Sequence, residues 1–145
     1  MDKDPYIYRV RQVIKVVDGD TIDVAIDLGF DISLTKRVRL SGVDTPESRT
    51  TDLKEKSLGL EVKELLKKKL QDQTDIIIKT ELPDSTEKYG RILGQLFVGD
   101  KEVMSVNKKK SVNQQMIDEG YAWEYDGGTK KKDFTELEAK RKSKL

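Results

Sequence analysis

The chain has no cysteine and no histidine among its 145 residues. Without cysteine there is no disulfide, no thiolate nucleophile and no thiolate metal site. Without histidine, a Ser-His-Asp triad, an imidazole base and the usual zinc sites are excluded. Acid–base chemistry is left to carboxylates, lysine, tyrosine or water on a metal. Metal binding is left to oxygen ligands, which suit hard cations such as calcium or magnesium. A large net charge is also missing. The 28 basic and 27 acidic residues leave a formal +1, so bulk charge offers a polyanion no attraction and any such case must come from local placement. Apolar residues reach only 35% and aromatics 6%. No run is long enough to span a membrane. The polar start, Met1-Asp2-Lys3-Asp4-Pro5, has no secretory apolar core, so a cytoplasmic, monomeric protein is expected unless a leader has been removed.

What is present is charge, 38% of the chain, arranged around short apolar patterns. The length fits one domain, residues 1–145. Residues 6–17 read as a strand, and Asp18-Gly19 follows as a hairpin-turn dipeptide whose two positions tolerate positive φ. Thr21 to Leu28 alternates with period two, Gly29 bends the chain, and a third strand runs to about Leu40. Residues 53–71 change period: Leu58, Val62, Leu65, Leu66 and Leu70 share one helical face, with Lys67, Lys68 and Lys69 on the solvated side. Strands are expected at Asp75–Glu81 and Arg91–Val98, with Gly99-Asp100 turning into Lys101–Val106. A second helix at 111–119 is closed by Gly120, and a third covers 130–145 with Phe134, Leu137 and the Arg141 stem inward. The fold class is α+β, mainly β: five strands, three before the first helix and two after it, curling into a small barrel with three packed helices.

Four pieces carry chemistry: Asp18-Gly19-Asp20-Thr21, Arg39, Asp44-Thr45-Pro46-Glu47, and Lys88-Tyr89-Gly90-Arg91. Arg37 and Arg39 alternate with Val38 and Leu40, and Pro46 stops the strand that carries them. If the barrel closes, the pieces meet at one rim. Asp20 and Asp44 then offer carboxylate oxygens and Thr45 a backbone carbonyl to a hard cation. Glu47 can orient a water and accept its proton. Arg39 and Arg91 can fork onto a phosphate. Each piece alone has a plainer explanation. Asp18-Gly19 makes a turn, Asp20 and Asp44 cap turns, Thr45-Pro46-Glu47 starts a helix, the arginines form surface ion pairs, and Lys88-Tyr89-Gly90 is a loop. Lys108-Lys109-Lys110 is first of all a surface run. Taken together, the plain explanations leave an arginine on a buried strand just ahead of two carboxylates unaccounted for.

At VVDGDTI, VRLSGVDTPE and EKYGRILGQL, then more weakly at EGYAWEY, the chain resembles the staphylococcal nuclease family over roughly residues 8–142. The resemblance implies a five-stranded OB barrel with three helices and a calcium-dependent endonuclease. Such an enzyme cuts DNA and RNA with little sequence preference and leaves 5′-hydroxyl and 3′-phosphate ends. It assigns Asp20, Asp44 and Thr45 to the metal, Glu47 to the general base, and Arg39 and Arg91 to the phosphate. Lys88 and Tyr89 go to a terminal phosphate and Tyr125 to the nucleotide pocket. The chain departs from the family in its polar 48–56 loop, in the Lys-rich 106–113 segment, and in ending without the Gly-Leu-Trp that helps anchor the third helix in relatives. The rival expectation is a non-catalytic OB-type module for single strands or a protein partner, against which the sparse aromatics weigh.

Overall fold

The structure, a computed structural model, describes residues 6–73, 75–80, 91–99, 110–125 and 133–143. In chain order the elements are β1 (Ile7–Asp18), β2 (Thr21–Asp27), β3 (Ser33–Leu40), β4 (Val43–Asp44), α1 (Leu53–Leu70), β5 (Ile76–Thr80), β6 (Ile92–Val98), α2 (Val112–Asp118), β7 (Trp123–Glu124) and α3 (Phe134–Ser143). Five strands close a barrel in the order β1-β2-β3-β6-β5, and β4 pairs with β7 as a small second sheet. The expected OB-type barrel with three helices is therefore the fold, with three barrel strands before α1 and two after it. The strand expected at Lys101–Val106, like Lys88 and Tyr89, lies outside the described residues. No described helix is long and apolar enough to cross a membrane.

Period-two alternation does its work in β2, where Ile22, Val24 and Ile26 point inward and are at most 3% exposed. Three register shifts along β1 coil that strand, so it pairs with β2 along its length and with β5 at its start. Such bulges bend a strand and sharpen its twist, which is what closing five strands requires. The only parallel pairing among the described strands, Val38–Leu40 beside Ile92–Gly94, completes the barrel. Val62, Leu66 and Leu70 of α1 and Val112 and Met116 of α2 close the interior.

Helix α1 starts at Asp52, whose carboxylate accepts from the Lys54 and Glu55 amides, satisfying donors that the first turn cannot pair. Its buried face carries Leu58, Val62, Leu66 and Leu70 as expected, with Leu65 partly buried. One assignment changes. Lys69 is not on the solvated side, because its Nζ donates to Gln115 Oε1 at 3.1 Å and to Glu119 Oε2 at 2.9 Å, tying α1 to α2. Helix α3 is anchored by three contacts. Leu137 is 1% exposed, Phe134 packs on Trp123 with centroids 5.6 Å apart, and Arg141 lies over the Tyr121 ring while donating to Gly120 O. Gly120, at φ +86, ends α2 and leaves room for the α3 backbone.

Two turns differ from expectation. The β1–β2 turn is Gly19-Asp20, since Asp18 pairs with Thr21, and neither Asp18 nor Gly19 has positive φ. Gly19 is needed for space: a Cβ there would stand 2.6 Å from Val62 Cγ1. The strand expected to carry the arginine straight into the carboxylates breaks at Ser41-Gly42. Gly42 has φ +78, a conformation that costs glycine nothing, and it swings Asp44 onto β4 against Trp123. Asn113 holds this corner, donating through Nδ2 to Ser41 O (2.8 Å) and Gly94 O (3.1 Å) and accepting from Leu96 N.

Gly59 of α1 faces the segment that carries Glu47. A Cβ at Gly59 would lie 2.5 Å from the Glu47 carbonyl carbon and 2.6 Å from Ser48 N. In an ordinary helix interior Gly→Ala gains about 1 kcal/mol. Here Gly59→Ala is expected to reverse that sign and destabilise by about 1–3 kcal/mol, because backbone must move. Thermal unfolding beside the exposed-site control Ser57→Ala checks it.

Candidate active site

The β1–β2 turn, the end of β3, β4 and the segment after it surround an open cleft of about 500 Å³. Arg37, Arg39, Arg49 and Arg91 line it against Asp18, Asp20, Asp44 and Glu47, together with Val17, Thr21 and Thr45. Antiparallel pairing sets Thr21 opposite Arg39, which brings Asp20 beside the strand end; the Asp20 carbonyl accepts from Leu40 N at 2.8 Å.

Arg39 is the centre of the arrangement. Its Nη1 donates to the Leu40 carbonyl at 3.1 Å and to the Val43 carbonyl at 2.9 Å. Its Nη2 faces Asp20 Oδ2 at 3.4 Å and Asp44 Oδ1 at 3.5 Å. The Tyr125 ring lies on its other side, with the guanidinium carbon 5.3 Å from the centroid, near enough for cation–π attraction. The side chains of Arg39, Asp20 and Asp44 are 9%, 14% and 3% exposed. Charges so removed from water persist only when paired, and here two carboxylates converge on one nitrogen.

The Glu47 segment is fastened from two directions. Glu47 N donates to the buried Glu55 carboxylate at 3.1 Å, and Ser48 Oγ donates to Asp18 Oδ1 at the end of β1. The backbone is thus fixed while the Glu47 side chain stays exposed on the cleft wall. Arg91 precedes β6, whose parallel pairing with Val38–Leu40 brings it to the same wall.

Asp20, Arg39, Asp44, Thr45, Glu47 and Arg91, all proposed from sequence, thus line one cleft. Tyr125 does not line it and packs on Arg39 instead. Lys88 and Tyr89 lie outside the described residues, as do Lys108 and Lys109, whereas Lys110 pairs with Asp118 of α2. Sequence reasoning missed Glu55, Ser48 and Arg37 as parts of the site, and it placed Asp18 in the chemical turn without the role of holding Ser48. A hint for Arg37 was present, because it shares the Arg39 face of β3.

An oxygen-seeking cation suits this donor set. Asp20 and Asp44 already converge on a single positive point, Thr45 is buried beside them, and the chain has neither imidazole nor thiolate to offer a softer metal. Among the described residues no group of three or more carboxylates is placed to hold a metal.

A family model described as "Staphylococcal nuclease homologue" matches residues 37–145. The chain belongs to this family. The SNase match begins at Arg37, so Asp20 precedes it and is joined to the site by the geometry above. The chain is 31% identical over 114 residues to "Protein ParB" of Escherichia coli, covering 79% of this chain and 56% of that protein. It is 28% identical over 117 residues to "Micrococcal nuclease" of Shigella flexneri, covering 79% and 57%. It is 37% identical over 90 residues to "Thermonuclease" of Staphylococcus intermedius, covering 61% and 49%. The SNase chain spans about half the length of these relatives.

At the cleft edge Asp23, directly across from Arg37, accepts from its Nε at 2.8 Å and Nη2 at 3.1 Å. That hydrogen bonding, opposed by partial burial and aided by nearby positive charge, holds the Asp23 carboxyl below its ordinary 3.8. A carboxyl depressed in the folded state stabilises the fold above its unfolded pKa, and the contribution fades as pH falls through the folded value. Asp23→Asn is therefore expected to lower the Tm slightly at neutral pH, with the gap closing below about pH 3.9. Paired melts across pH 2–7 check this.

Proposed function

We propose that this chain is a calcium-dependent endonuclease hydrolysing phosphodiester bonds of DNA and RNA with little sequence preference. The convergence of Asp20 and Asp44 on Arg39, in a cleft shared with Glu47 and Arg91, carries the reading. The nuclease names of several relatives support it.

Asp20 and Asp44, with the Thr45 carbonyl, would hold the cation. Calcium bound there supplies Lewis-acid stabilisation of phosphate charge and makes water easier to deprotonate. The protein's own groups do the rest. Arg39, anchored through Nη1 by two carbonyls, keeps its Nη2 edge at the cleft to donate to a non-bridging phosphate oxygen, and Arg91 donates from the β6 side. Donors fixed in advance stabilise charge that grows on the phosphoryl oxygens without reorganising at the moment of reaction. Glu47, on a backbone pinned by Glu55 and Ser48, takes the proton of the attacking water. The water oxygen bonds to phosphorus, the bond to the 5′-oxygen breaks and that oxygen is protonated, leaving a 3′-phosphate and a 5′-hydroxyl. Lys88 and Tyr89 are assigned to a terminal phosphate of bound nucleotide. Tyr125 contributes by backing Arg39 at the nucleotide pocket. A site of charged groups reads the backbone and few base edges, which accounts for weak sequence preference.

Plasmid and single-stranded DNA are expected to be degraded with calcium and spared with chelator. Glu47→Gln and Arg39→Ala should each lower the rate by about 10²–10³, with circular dichroism confirming the fold. Cleavage indifferent to chelator would contradict the proposal, and unchanged rates in both variants would refute the roles given to these residues.

A further inference from the structure

Arg37 has no part in the reaction just described, yet its guanidinium lines the same cleft as Arg39 and Arg91. It stands two residues before Arg39 on β3, so both side chains leave one face of the strand about 6–7 Å apart. That separation suits neighbouring phosphates of an extended single strand.

Its conformation is set by a dedicated partner. Asp23, opposite it on β2, takes Nε and Nη2 side-on. Among the described residues this leaves Nη1 to donate elsewhere. A surface ion pair needs only two long side chains that meet. Here a short, half-buried carboxylate fixes a long, half-exposed arginine at a cleft wall, which removes rotamer freedom before any ligand arrives. Lys15, across from Asp23 on β1, adds positive charge on the other flank.

We infer that Arg37, positioned by Asp23, is a further phosphate-binding site for polynucleotide, separate from the one assigned to Lys88 and Tyr89 and one linkage away from the scissile phosphate. The inference rests on the nuclease reading for the substrate class. It makes chain length a determinant of affinity: a strand with two or more phosphates engages Arg37, and a mononucleotide does not reach it.

The test is direct binding of a fluorescein-labelled, single-stranded DNA tetramer with chelator present, so that cleavage plays no part, followed by fluorescence anisotropy across a salt series. Arg37→Gln is expected to weaken tetramer binding about tenfold and to reduce the slope of log affinity against log salt by about 0.7, while mononucleotide binding changes little. Asp23→Asn keeps the Arg37 charge but loosens its side chain; that loss of positioning should outweigh the removal of a nearby negative charge, weakening the tetramer by about two- to threefold and leaving the salt slope in place. Equal tetramer binding by wild type and Arg37→Gln, or an equal loss for tetramer and mononucleotide, would overturn the inference. Absence of calcium-dependent cleavage alongside the expected binding pattern would overturn the nuclease reading and support the binding site.

Discussion

The rest of the structure depends on a buried guanidinium that cannot be left without partners. Arg39 is taken out of water at the end of β3, and stranding such a charge would cost several kcal/mol. Every element around it supplies an acceptor or a support. Two carbonyls of the β3–β4 corner fix one nitrogen, Asp20 and Asp44 face the other, and Tyr125 covers the plane. Remove the corner and Asp44 no longer faces Arg39. Shift the β2–β3 register by a residue and Arg39 turns to the other side of the sheet.

The barrel is a means of meeting those demands at once. Antiparallel pairing delivers the turn that carries Asp20, the Gly42 bend delivers Asp44, and the parallel contact with β6 delivers Arg91. Helix α1 works from beneath, where Glu55 accepts the Glu47 amide and Gly59 lets the helix touch the Glu47 carbonyl. Two carboxylates held this close repel each other, and only a positive charge between them relieves it. Arg39 fills that place in part, which suits the proposed exchange of partners on binding a cation and a phosphate.

Much of this was legible in the chain and some of it was not. The alternation of Ile22, Val24 and Ile26, the helical spacing of Leu58, Val62, Leu66 and Leu70, and the stop at Gly120 report local periodicity, and they describe the barrel and helices well. The residues around VDTPE were identifiable because core packing does not explain their chemistry. What escaped was set by contacts distant in sequence. Gly19 read as a turn residue chosen for φ, whereas Val62, more than forty positions away, dictates its size. Lys69 read as solvated because Gln115 and Glu119 are invisible from α1 alone. Glu55 and Asn113 drew no attention in the sequence, although each satisfies backbone groups of another segment. The Asp23–Arg37 pair needed the β2–β3 register, which alternation alone leaves undetermined.

In the proposed reading, Asp20 and Asp44 together form a cation site whose positive point Arg39 already occupies in part. Isothermal titration of the intact chain with calcium, beside Asp20→Asn and Asp44→Asn, tests it most directly. A saturable heat in the wild type that either substitution abolishes is the predicted result. Calcium binding that persists unchanged in both variants, or its absence from the wild type, would contradict the account.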